Sequence, residues 1–433
     1  MRIDILAIGS RGDVQPYVAL GLGLQMAGHR VRVVTLGGFE QSVRGLGLDH
    51  LAIGGSPQEI AKTAAGQDWV QKRSSVAGFV RGFVGVAGPL IEQGIASYWE
   101  ESRQADAIIS SPMGMLAAES VAERLRIPLI DTQLAPPAML TRYSWSGEVN
   151  LRSIWRGLLE AGMDVVFQTV MWNLLRTNTN AARQGILELP ELGRFAPLRA
   201  SRRKRLALLG GYSPAVARKK PDWPDWIHVT GYWFLDDESC WTPPPELLDF
   251  LNKGPESIFI GFGSTPFPDP QQTTAKVVRA VERAGQRAIL VAGGSGLSTG
   301  RLSEAVLGID SVPHAWLFPR VRAAVHHGGA GVTGAALRAG LPSVVVPVFA
   351  DQPFWSGRVY ELGVGPKPIP ARQLSEDNLA DAIRATTHPE IRRRAAELGE
   401  MIRAEDGVGR AVEIIGRCVG GGTGASVART RVS

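Results

Sequence analysis

The chain has 433 residues and a net charge of +6, with 44% hydrophobic and 20% charged residues. This balance is typical of a soluble globular protein and excludes a disordered or fibrous chain, and the length predicts two domains. The only cysteines, Cys240 and Cys418, are far apart, which excludes a disulfide framework and a cysteine-built zinc site. No apolar run reaches the roughly 18 residues of a membrane helix. Because Asp4 interrupts the first apolar run, no signal peptide is indicated, and we expect a cytoplasmic protein.

The positive charge is concentrated in three short runs, at residues 202–205, 218–220 and 392–394. Runs of this kind commonly lie on the solvated surface. Peripheral contact with an anionic membrane is the alternative, since each basic residue near such a surface contributes about 1 kcal/mol. The runs carry no interleaved aromatic residues, so they do not predict a nucleic-acid partner.

Short apolar runs alternate with longer amphipathic stretches, which is typical of βαβ units on a parallel sheet. In the first half of the chain, strands are predicted at residues 3–8, 31–35, 107–111 and 128–132, with a first helix over 14–28. The pattern restarts after a proline-rich, acidic stretch, with strands predicted at 257–263, 287–292, 323–326 and 343–347. The predicted fold class is therefore α/β, with two doubly wound domains in tandem.

The change of pattern near residues 235–250 sets the predicted domain boundaries. We expect an N-terminal domain over 1–235, a linker over 236–250 and a C-terminal domain over 251–417. The last helix is a candidate for crossing back to the first domain. Residues 418–433 are rich in glycine, serine, threonine and arginine and are predicted to form a disordered tail.

Residues 140–183 contain no strand-like run and predict helices that are rich in large apolar side chains. Two interpretations are open. The segment is either a helical layer packed on the first sheet or a partly open apolar wall that binds a ligand. The candidates for such a wall are Trp145, Trp155, Met163, Phe167 and Trp172.

The motif GSRGDVQP at residues 9–16 follows the first predicted strand. Gly9 and Gly12 allow a tight turn, and Pro16 suits the first turn of a helix. Asp13 is then expected at or near the helix N-cap, and capping alone explains an aspartate there. However, this turn lies at the carboxyl end of a strand, where doubly wound sheets bind ligands, so Asp13 is also a candidate general base. The spacing is not that of a G-x-G-x-x-G loop, so nicotinamide binding is weakly supported.

A second motif, HHGGAGVT at residues 326–333, follows a predicted strand and precedes a helix predicted over 333–339. Small residues expose backbone N–H groups and a helix N-terminus adds partial positive charge, which together favour a diphosphate. A glycine turn for close packing of strand and helix is the alternative. His326 and His327 are adjacent on an extended strand and point to opposite faces, so one of them is expected to be structural.

A third motif, PVFADQPFW at residues 347–355, follows the next strand. Asp351 and Gln352 there offer acceptors and a donor in a fixed order, which suits the recognition of sugar hydroxyl groups. The alternative is an ordinary helix cap.

Together with GYWFLD at 231–236, IGFGS at 260–264 and VPHAWLFPRV at 312–321, these motifs resemble the inverting glycosyltransferases of the GT-B fold. The resemblance is to the UDP-glycosyltransferase family and is closest to its sterol 3-beta-glucosyltransferase and antibiotic glycosyltransferase branch. It extends over nearly the whole chain, to about residue 416. It implies two Rossmann-like domains that face a cleft, and sugar transfer without a cofactor or a metal ion.

The resemblance makes Asp13 the catalytic base, in a loop with Ser10, Arg11 and Gly12. It assigns donor binding to Gly263, Ser264, Val312, His326, Gly329, Ala330, Gly331, Val332, Asp351 and Gln352. In this assignment the histidine and the four residues from 329 to 332 hold the pyrophosphate. The aspartate–glutamine pair holds the sugar, and Val312 presents its peptide edge to the nucleoside base of the donor.

The family's Trp-x-Pro-Gln motif is replaced here by Ser311, Val312, Pro313 and His314, so either uracil or thymine is open as the base of the donor. The expected function is metal-independent transfer, with inversion, of glucose or a related hexose from a UDP-sugar to a hydroxyl of an apolar polycycle such as a sterol. One alternative is a natural-product glycosyltransferase that uses a TDP- or UDP-sugar on a polyketide, macrolide or glycopeptide aglycone. A nucleotide-sugar epimerase and a non-catalytic lipid-binding module are the others. The expected partners are a nucleotide sugar, UDP-glucose first, and an apolar hydroxylated small molecule.

Overall fold

A computed structural model gives the fold of residues 1–64, 66, 76–136, 154–195, 206–221, 223–236, 241–264, 267–348 and 351–420. Two parallel sheets organise these residues, one in each half of the chain. The predicted α/β class, with two doubly wound sheets, is confirmed.

The first sheet has seven strands, all parallel, in the order β3-β2-β1-β4-β5-β6-β7. The strands are β1 (Arg2–Leu6), β2 (Arg30–Thr35), β3 (Asp49–Ala52), β4 (Ala107–Ser110), β5 (Leu129–Gln133), β6 (Leu208–Gly210) and β7 (Ile227–Val229). Helices cover both faces: α1 (Arg11–Met26), α2 (Glu40–Gly45), α3 (Pro57–Lys62), α4 (Val76–Ser102), α5 (Met115–Leu125) and α6 (Ile154–Gly185). A short 3₁₀ turn, Pro112–Gly114, follows β4. Because both faces are covered, the central strands are buried almost without interruption.

The second sheet has six strands in the order β10-β11-β9-β8-β12-β13. They are β8 (Ser257–Gly261), β9 (Ala288–Val291), β10 (Gly300–Arg301), β11 (Val306–Ile309), β12 (Val321–His326) and β13 (Ser343–Val345). Only the edge strand β10 is antiparallel to its neighbour. The helices are α7 (Pro245–Asn252), α8 (Pro270–Arg283), α9 (His314–Leu317), α10 (Ala330–Arg338), α11 (Gln352–Glu361), α12 (Glu376–Ala385), α13 (Pro389–Arg403) and α14 (Gly407–Gly420). The 3₁₀ turns Phe318–Arg320 and Ala371–Gln373 complete the list.

Helix α14 packs on the first sheet although it follows the second sheet in sequence. Ala411, Ile415 and Val419 are buried in the same core as β1 and α1. The predicted tail over 418–433 is therefore wrong at its start, because residues 418–420 form the last turn of this amphipathic helix. Residues 421–433 lie outside the described part of the chain.

The predicted linker over 236–250 also differs from the structure. Helix α7 begins at Pro245, inside that range. Its residues Leu247 and Phe250 are fully buried in the core of the second sheet, against Phe259 and Phe318. The end of the predicted linker is thus part of the second domain, because its apolar residues repeat at helical spacing.

A separate core joins the two halves of the chain. Tyr212 and Tyr232 of the first half are buried together with Phe354 and Trp355 of the second. The Tyr212 ring lies edge-on to Trp355, with 6.1 Å between the ring centroids. This contact holds the loop after β13 close to the first domain.

A buried ion pair links β1 and β2. Asp4 is fully buried and accepts hydrogen bonds from the Arg32 guanidinium at 2.6 and 3.2 Å, and from the Tyr98 hydroxyl at 3.0 Å. Arg32 also donates to the Glu101 carbonyl at 2.9 Å. The charges in these two central strands are thus paired rather than exposed.

None of the described helices has the length and apolar composition needed to cross a bilayer.

Candidate active site

The turn between β1 and α1 holds the Asp13 carboxylate in a fixed position. Helix α1 begins at Arg11, so Ser10 is the N-cap and Asp13 is the third helical residue, near the N-cap as predicted. The Ser10 backbone N–H and hydroxyl both donate to Asp13 Oδ2, each at 2.8 Å. Gly9 has φ of +147°, and a Cβ added there would lie 2.5 Å from that oxygen. Glycine at position 9 is therefore required by the carboxylate itself.

The Asp13 carboxyl is open to the cleft, yet its pKa is raised. Desolvation by the surrounding protein is the main cause, and the two hydrogen bonds from Ser10 oppose it. Both of these bonds end on Oδ2, so among the described residues none donates to Oδ1. A carboxylate with a raised pKa and one oxygen without a donor can accept a proton from a bound hydroxyl group.

Pro16 lies inside helix α1 rather than in its first turn, which corrects the sequence prediction. Proline has no N–H, so the Gly12 carbonyl, four residues earlier, lacks its helical donor. A Cβ added to Gly331 would lie 3.8 Å from that carbonyl oxygen. The predicted loop of Ser10, Arg11 and Gly12 thus lies directly opposite the N-terminus of α10.

The His326 ring is fully buried at the end of β12. Its Nδ1 accepts the Gly328 backbone N–H at 3.1 Å, while its Nε2 is buried and bonds to none of the described residues. Burial and the neighbouring histidines, 327 and 314, lower its pKa to about 3, so the ring is neutral near pH 7. Because Nδ1 is the acceptor, Nε2 carries the proton and is a free donor.

The His327 ring fills the space between two donor loops. A Cβ added to Gly263 would lie 2.9 Å from the ring, and one added to Gly329 would lie 2.7 Å from it. Burial lowers the pKa of His327 to about 4, while the Gly261 carbonyl opposes this shift. Gly263 and Gly329, which were predicted to line the diphosphate, are thus also the residues that leave room for this imidazole.

Helix α10 begins at Ala330, three residues earlier than predicted, with Gly329 as its N-cap. The first helical hydrogen bond is donated by Thr333 to the Gly329 carbonyl at 3.0 Å. The backbone N–H groups of Ala330, Gly331 and Val332 therefore have no partner within the helix. The Ala330 N–H stabilises the Asp351 carboxylate, so the N–H groups of Gly331 and Val332, with the helix dipole, form a binding site for negative charge.

Asp351 lies across the cleft from Asp13. Its Oδ2 accepts the Trp355 indole N–H at 2.9 Å, and the Ala330 N–H also stabilises its charge. Desolvation nevertheless raises its pKa to about 6, and repulsion from Asp13 contributes to that shift. The two carboxylates are thus within electrostatic reach of each other. Trp355 was not among the predicted site residues, although its i+4 spacing from Asp351 on α11 indicates the contact.

The remaining predicted donor residues surround this cluster. Gln352 is buried and its Oε1 accepts the Val348 N–H at 2.8 Å, so this oxygen already shapes the loop. Ser264 is exposed directly after β8 and Gly263. Val312 is buried just before α9, and its backbone lies at the carboxyl end of β11.

His314 is a site residue that sequence reasoning noted only as a replacement. Its ring stacks on Phe318 with 4.7 Å between centroids and meets the edge of Phe259. Burial first, then the charges of Arg11 and His327, lower its pKa to about 4. Arg11, from the first domain, is thus within electrostatic reach of this donor loop.

The structure describes only part of the predicted apolar wall. Trp172 is 4% exposed and its indole N–H donates to the Gly193 carbonyl at 2.9 Å. It therefore packs α6 against the segment that follows, which favours the interpretation of a packed helical layer at this residue. Trp145 lies outside the described residues. Trp155, Met163 and Phe167 belong to α6, but their side chains are not described.

Over the described residues, no three His, Cys, Asp or Glu side chains are close enough to hold a metal ion.

The basic runs that the structure describes differ in their ion pairing. Arg393 and Arg394 form ion pairs with Glu390 at 2.8 and 2.7 Å on α13. Run 218–220 forms no ion pair with any described residue, and run 202–205 lies outside the described part of the chain.

Two family models match the chain. Residues 3–141 match the glycosyltransferase family 28 N-terminal domain, and residues 278–419 match the erythromycin biosynthesis protein CIII-like C-terminal domain. The fold agrees with the solved glycotransferase of kitacinnamycin, with a TM-score of 0.66 and 19% identity over 96% of this chain and 98% of that one. The chain has the GT-B fold, and each of its halves is similar to a glycosyltransferase family model.

Other solved GT-B structures agree equally well. Spinosyn forosaminyltransferase SpnP has a TM-score of 0.67 at 15% identity, over 97% of this chain and 99% of that chain. Glycosyltransferase VinC, solved in complex with DTDP, has a TM-score of 0.64 at 17% identity, over 97% and 100%.

Curated relatives of this GT-B chain share more of its sequence. The sterol 3-beta-glucosyltransferase of Cryptococcus neoformans is 38% identical over 96% of this chain and 27% of its own length. That of Komagataella phaffii is 36% identical over 95% and 34%. The chain thus spans about a third of the length of the curated relatives it matches. The predicted GT-B fold and the similarity to the sterol enzymes are confirmed.

Proposed function

We propose that this chain transfers glucose, or a related hexose, from a UDP-sugar to a hydroxyl group of an apolar polycycle such as a sterol. The observation that carries the proposal is the arrangement of the cleft. The Asp13 carboxylate, with its raised pKa, faces Asp351 and the N–H groups of Gly331 and Val332 at the start of α10. A proton acceptor is thus opposite a binding site for a diphosphate.

The reaction is a single displacement. Oδ1 of Asp13 accepts the proton of the acceptor hydroxyl group while the hydroxyl oxygen attacks the anomeric carbon of the sugar. The bond to the diphosphate breaks on the opposite face of the sugar, so the configuration inverts. The helix N-terminus and the neutral His326, through Nε2–H, stabilise the charge that develops on the leaving group.

The same donors support transfer without a metal ion. The positive end of α10 and a preorganised N–H donor supply the stabilisation that a divalent cation supplies in other sugar transferases. Excess EDTA is expected to leave the rate of transfer unchanged. Loss of transfer in EDTA, with recovery on adding magnesium or manganese, contradicts this part of the proposal.

Asp351 and Gln352 are proposed to hold the sugar. Trp355 and the Ala330 N–H fix the Asp351 carboxylate, which can accept hydrogen bonds from two sugar hydroxyls. The Gln352 oxygen is bound to the Val348 backbone, so its amide group is oriented by that contact.

A second candidate is transfer of a sugar from a TDP-sugar to a natural-product aglycone. It is favoured by the full-length agreement in fold with the kitacinnamycin and spinosyn enzymes and with VinC, which was solved with DTDP. The two candidates share Asp13 and the α10 donors and differ in the nucleoside base and the acceptor.

A matrix of two donors and three acceptor classes separates them. UDP-glucose and TDP-glucose are each incubated with a sterol, a macrolide aglycone and a flavonoid, and products are detected by mass spectrometry. We expect the sterol with UDP-glucose to give the highest kcat/KM. A preference for TDP-glucose and the macrolide favours the second candidate, and no transfer to any acceptor contradicts both.

A further inference from the structure

A cavity of about 470 Å³ lies between α14, β7 and the loop that follows β6. None of the residues assigned to the donor or to proton transfer lines it. Its volume falls within the range of about 300–1,000 Å³ that is usual for small-molecule sites. It is an open, solvent-accessible concave surface, separate from the proposed active site.

The charged side chains that line this cavity are mostly cationic. Lys219 enters from the loop after β6, and Arg410 and Arg417 enter from α14. Arg417 is 3.8 Å from Glu413, the one acidic residue of the lining. Within the described part of the chain, Lys219 and Arg410 form no ion pair. Both cations line the same cavity, so an anion bound there is attracted to both charges.

His228 reports the electrostatic field inside the cavity. Burial lowers its pKa, and the positive charges of Lys219 and Arg417 lower it further, while Asp225 opposes them. The imidazole is therefore neutral near pH 7 and can donate or accept a hydrogen bond. Outside the lining, Glu405 feels the charge of Arg410 but is itself hydrogen-bonded by Ser213 at 2.6 Å.

The cavity also adjoins the point where the chain passes between its two domains. A Cβ added to Gly407, at the start of α14, would lie 2.3 Å from the Tyr232 carbonyl oxygen. Strand β7 ends at Val229, three residues before that tyrosine. A ligand bound to both Lys219 and Arg410 would thus join the segment that leaves the first domain to helix α14, which returns to it.

We propose that this cavity binds a phosphate-bearing anion, either a soluble phosphate ester or the head group of an acidic phospholipid. The phosphate oxygens accept hydrogen bonds from Lys219, Arg410 and Arg417, and His228 contributes a neutral partner. Cation–phosphate hydrogen bonds of this kind are among the stronger ones in proteins.

Two probes test the proposal and separate the sources. Inorganic phosphate is titrated calorimetrically at constant ionic strength, and vesicles of phosphatidylcholine with phosphatidic acid are used in a flotation assay. At least one probe is expected to bind the full chain. The double variant Lys219→Gln/Arg410→Gln is expected to bind that probe about 100-fold more weakly, at roughly tenfold for each lost contact. Arg410→Gln alone, which changes an exposed residue, provides a variant whose fold is not at risk.

The matched control is Arg218→Gln/Lys220→Gln, which removes the same charge from the two exposed neighbours of Lys219. It is expected to keep the affinity within about threefold, because neither residue lines the cavity. Binding of phosphate alone identifies a soluble ester, and binding of vesicles alone identifies a lipid head group. The proposal is overturned if neither probe binds, if both pairs of substitutions weaken binding equally, or if neither does.

Discussion

Replacing His326 by asparagine or by glutamine tests how the leaving diphosphate is stabilised. The asparagine oxygen can take the place of Nδ1 and still accept the Gly328 N–H, but it removes the donor at Nε2. The glutamine amide can reach the position of Nε2, but it leaves the buried Gly328 N–H without its acceptor. The two variants therefore separate the donor that binds the ligand from the acceptor that holds the loop.

A hydrogen bond to a charged group contributes about 1.5–3 kcal/mol. His326→Asn is therefore expected to weaken UDP-glucose binding about 10–150-fold, with a thermal midpoint close to that of the wild type. His326→Gln is expected to bind more tightly than the asparagine variant but to unfold at a lower temperature. Calorimetry with UDP-glucose and thermal scans of the three proteins give both quantities.

The pH dependence provides a second readout of the same assignment. The pKa of His326 is lowered to about 3, so the ring is neutral throughout pH 5.5–8 and donates through Nε2 at every point. The ratio of wild-type to His326→Asn affinity should then be constant over this range. Equal affinities of the two proteins, or a ratio that falls tenfold as the pH rises, would show that the ring does not act as a neutral donor.

Two further substitutions test the electrostatics. The pKa of Asp351 is raised to about 6, so at pH 8 the folded protein carries this carboxylate in its ionised form. Asp351→Asn should therefore raise the thermal midpoint at pH 8. The gain should be smaller at pH 4.5, where the wild-type carboxyl is already protonated. An equal shift at both pH values would refute the raised pKa of Asp351. Asp4→Asn should cost about 3–5 kcal/mol of unfolding free energy in urea, because it removes the buried counterion of Arg32 and leaves only the exposed Glu101 carboxylate, 3.6 Å from the guanidinium. Asp49→Asn in the exposed Arg30–Asp49 pair is the control and should cost less than about 1 kcal/mol. Similar losses in both variants would contradict the role of burial.

The sequence predicted the sheets and the loops of the site because these are local patterns. Ile3, Ile5 and their neighbours read as a buried strand, and Gly9 and Gly328 mark turns with positive φ. The start of α10 was placed three residues late, because Ala330, Gly331 and Val332 are also typical of a loop. Their helical state depends on packing against the sheet, which a single sequence does not display.

Features that depend on distant contacts were not predictable from local patterns. Strands β6 and β7 have three residues each and are recognisable only beside β5. The indole of Trp172 is explained by the Gly193 carbonyl, 21 residues away, which turns an apparent ligand wall into a packing contact. Likewise, the repulsion between Asp13 and Asp351 exists only because the tyrosine-rich core between the domains brings their loops together.

The most direct test of the proposed function compares wild type and Asp13→Asn with UDP-glucose and a sterol. NMR of the product reports the anomeric configuration, and calorimetry reports UDP-glucose affinity. The wild type is expected to form the β-glucoside. Asp13→Asn should lower kcat by about 10²–10⁴ with donor affinity unchanged, because only the proton acceptor is lost. An α-linked product, or near-normal turnover in the variant, would contradict a direct displacement in which Asp13 is the base.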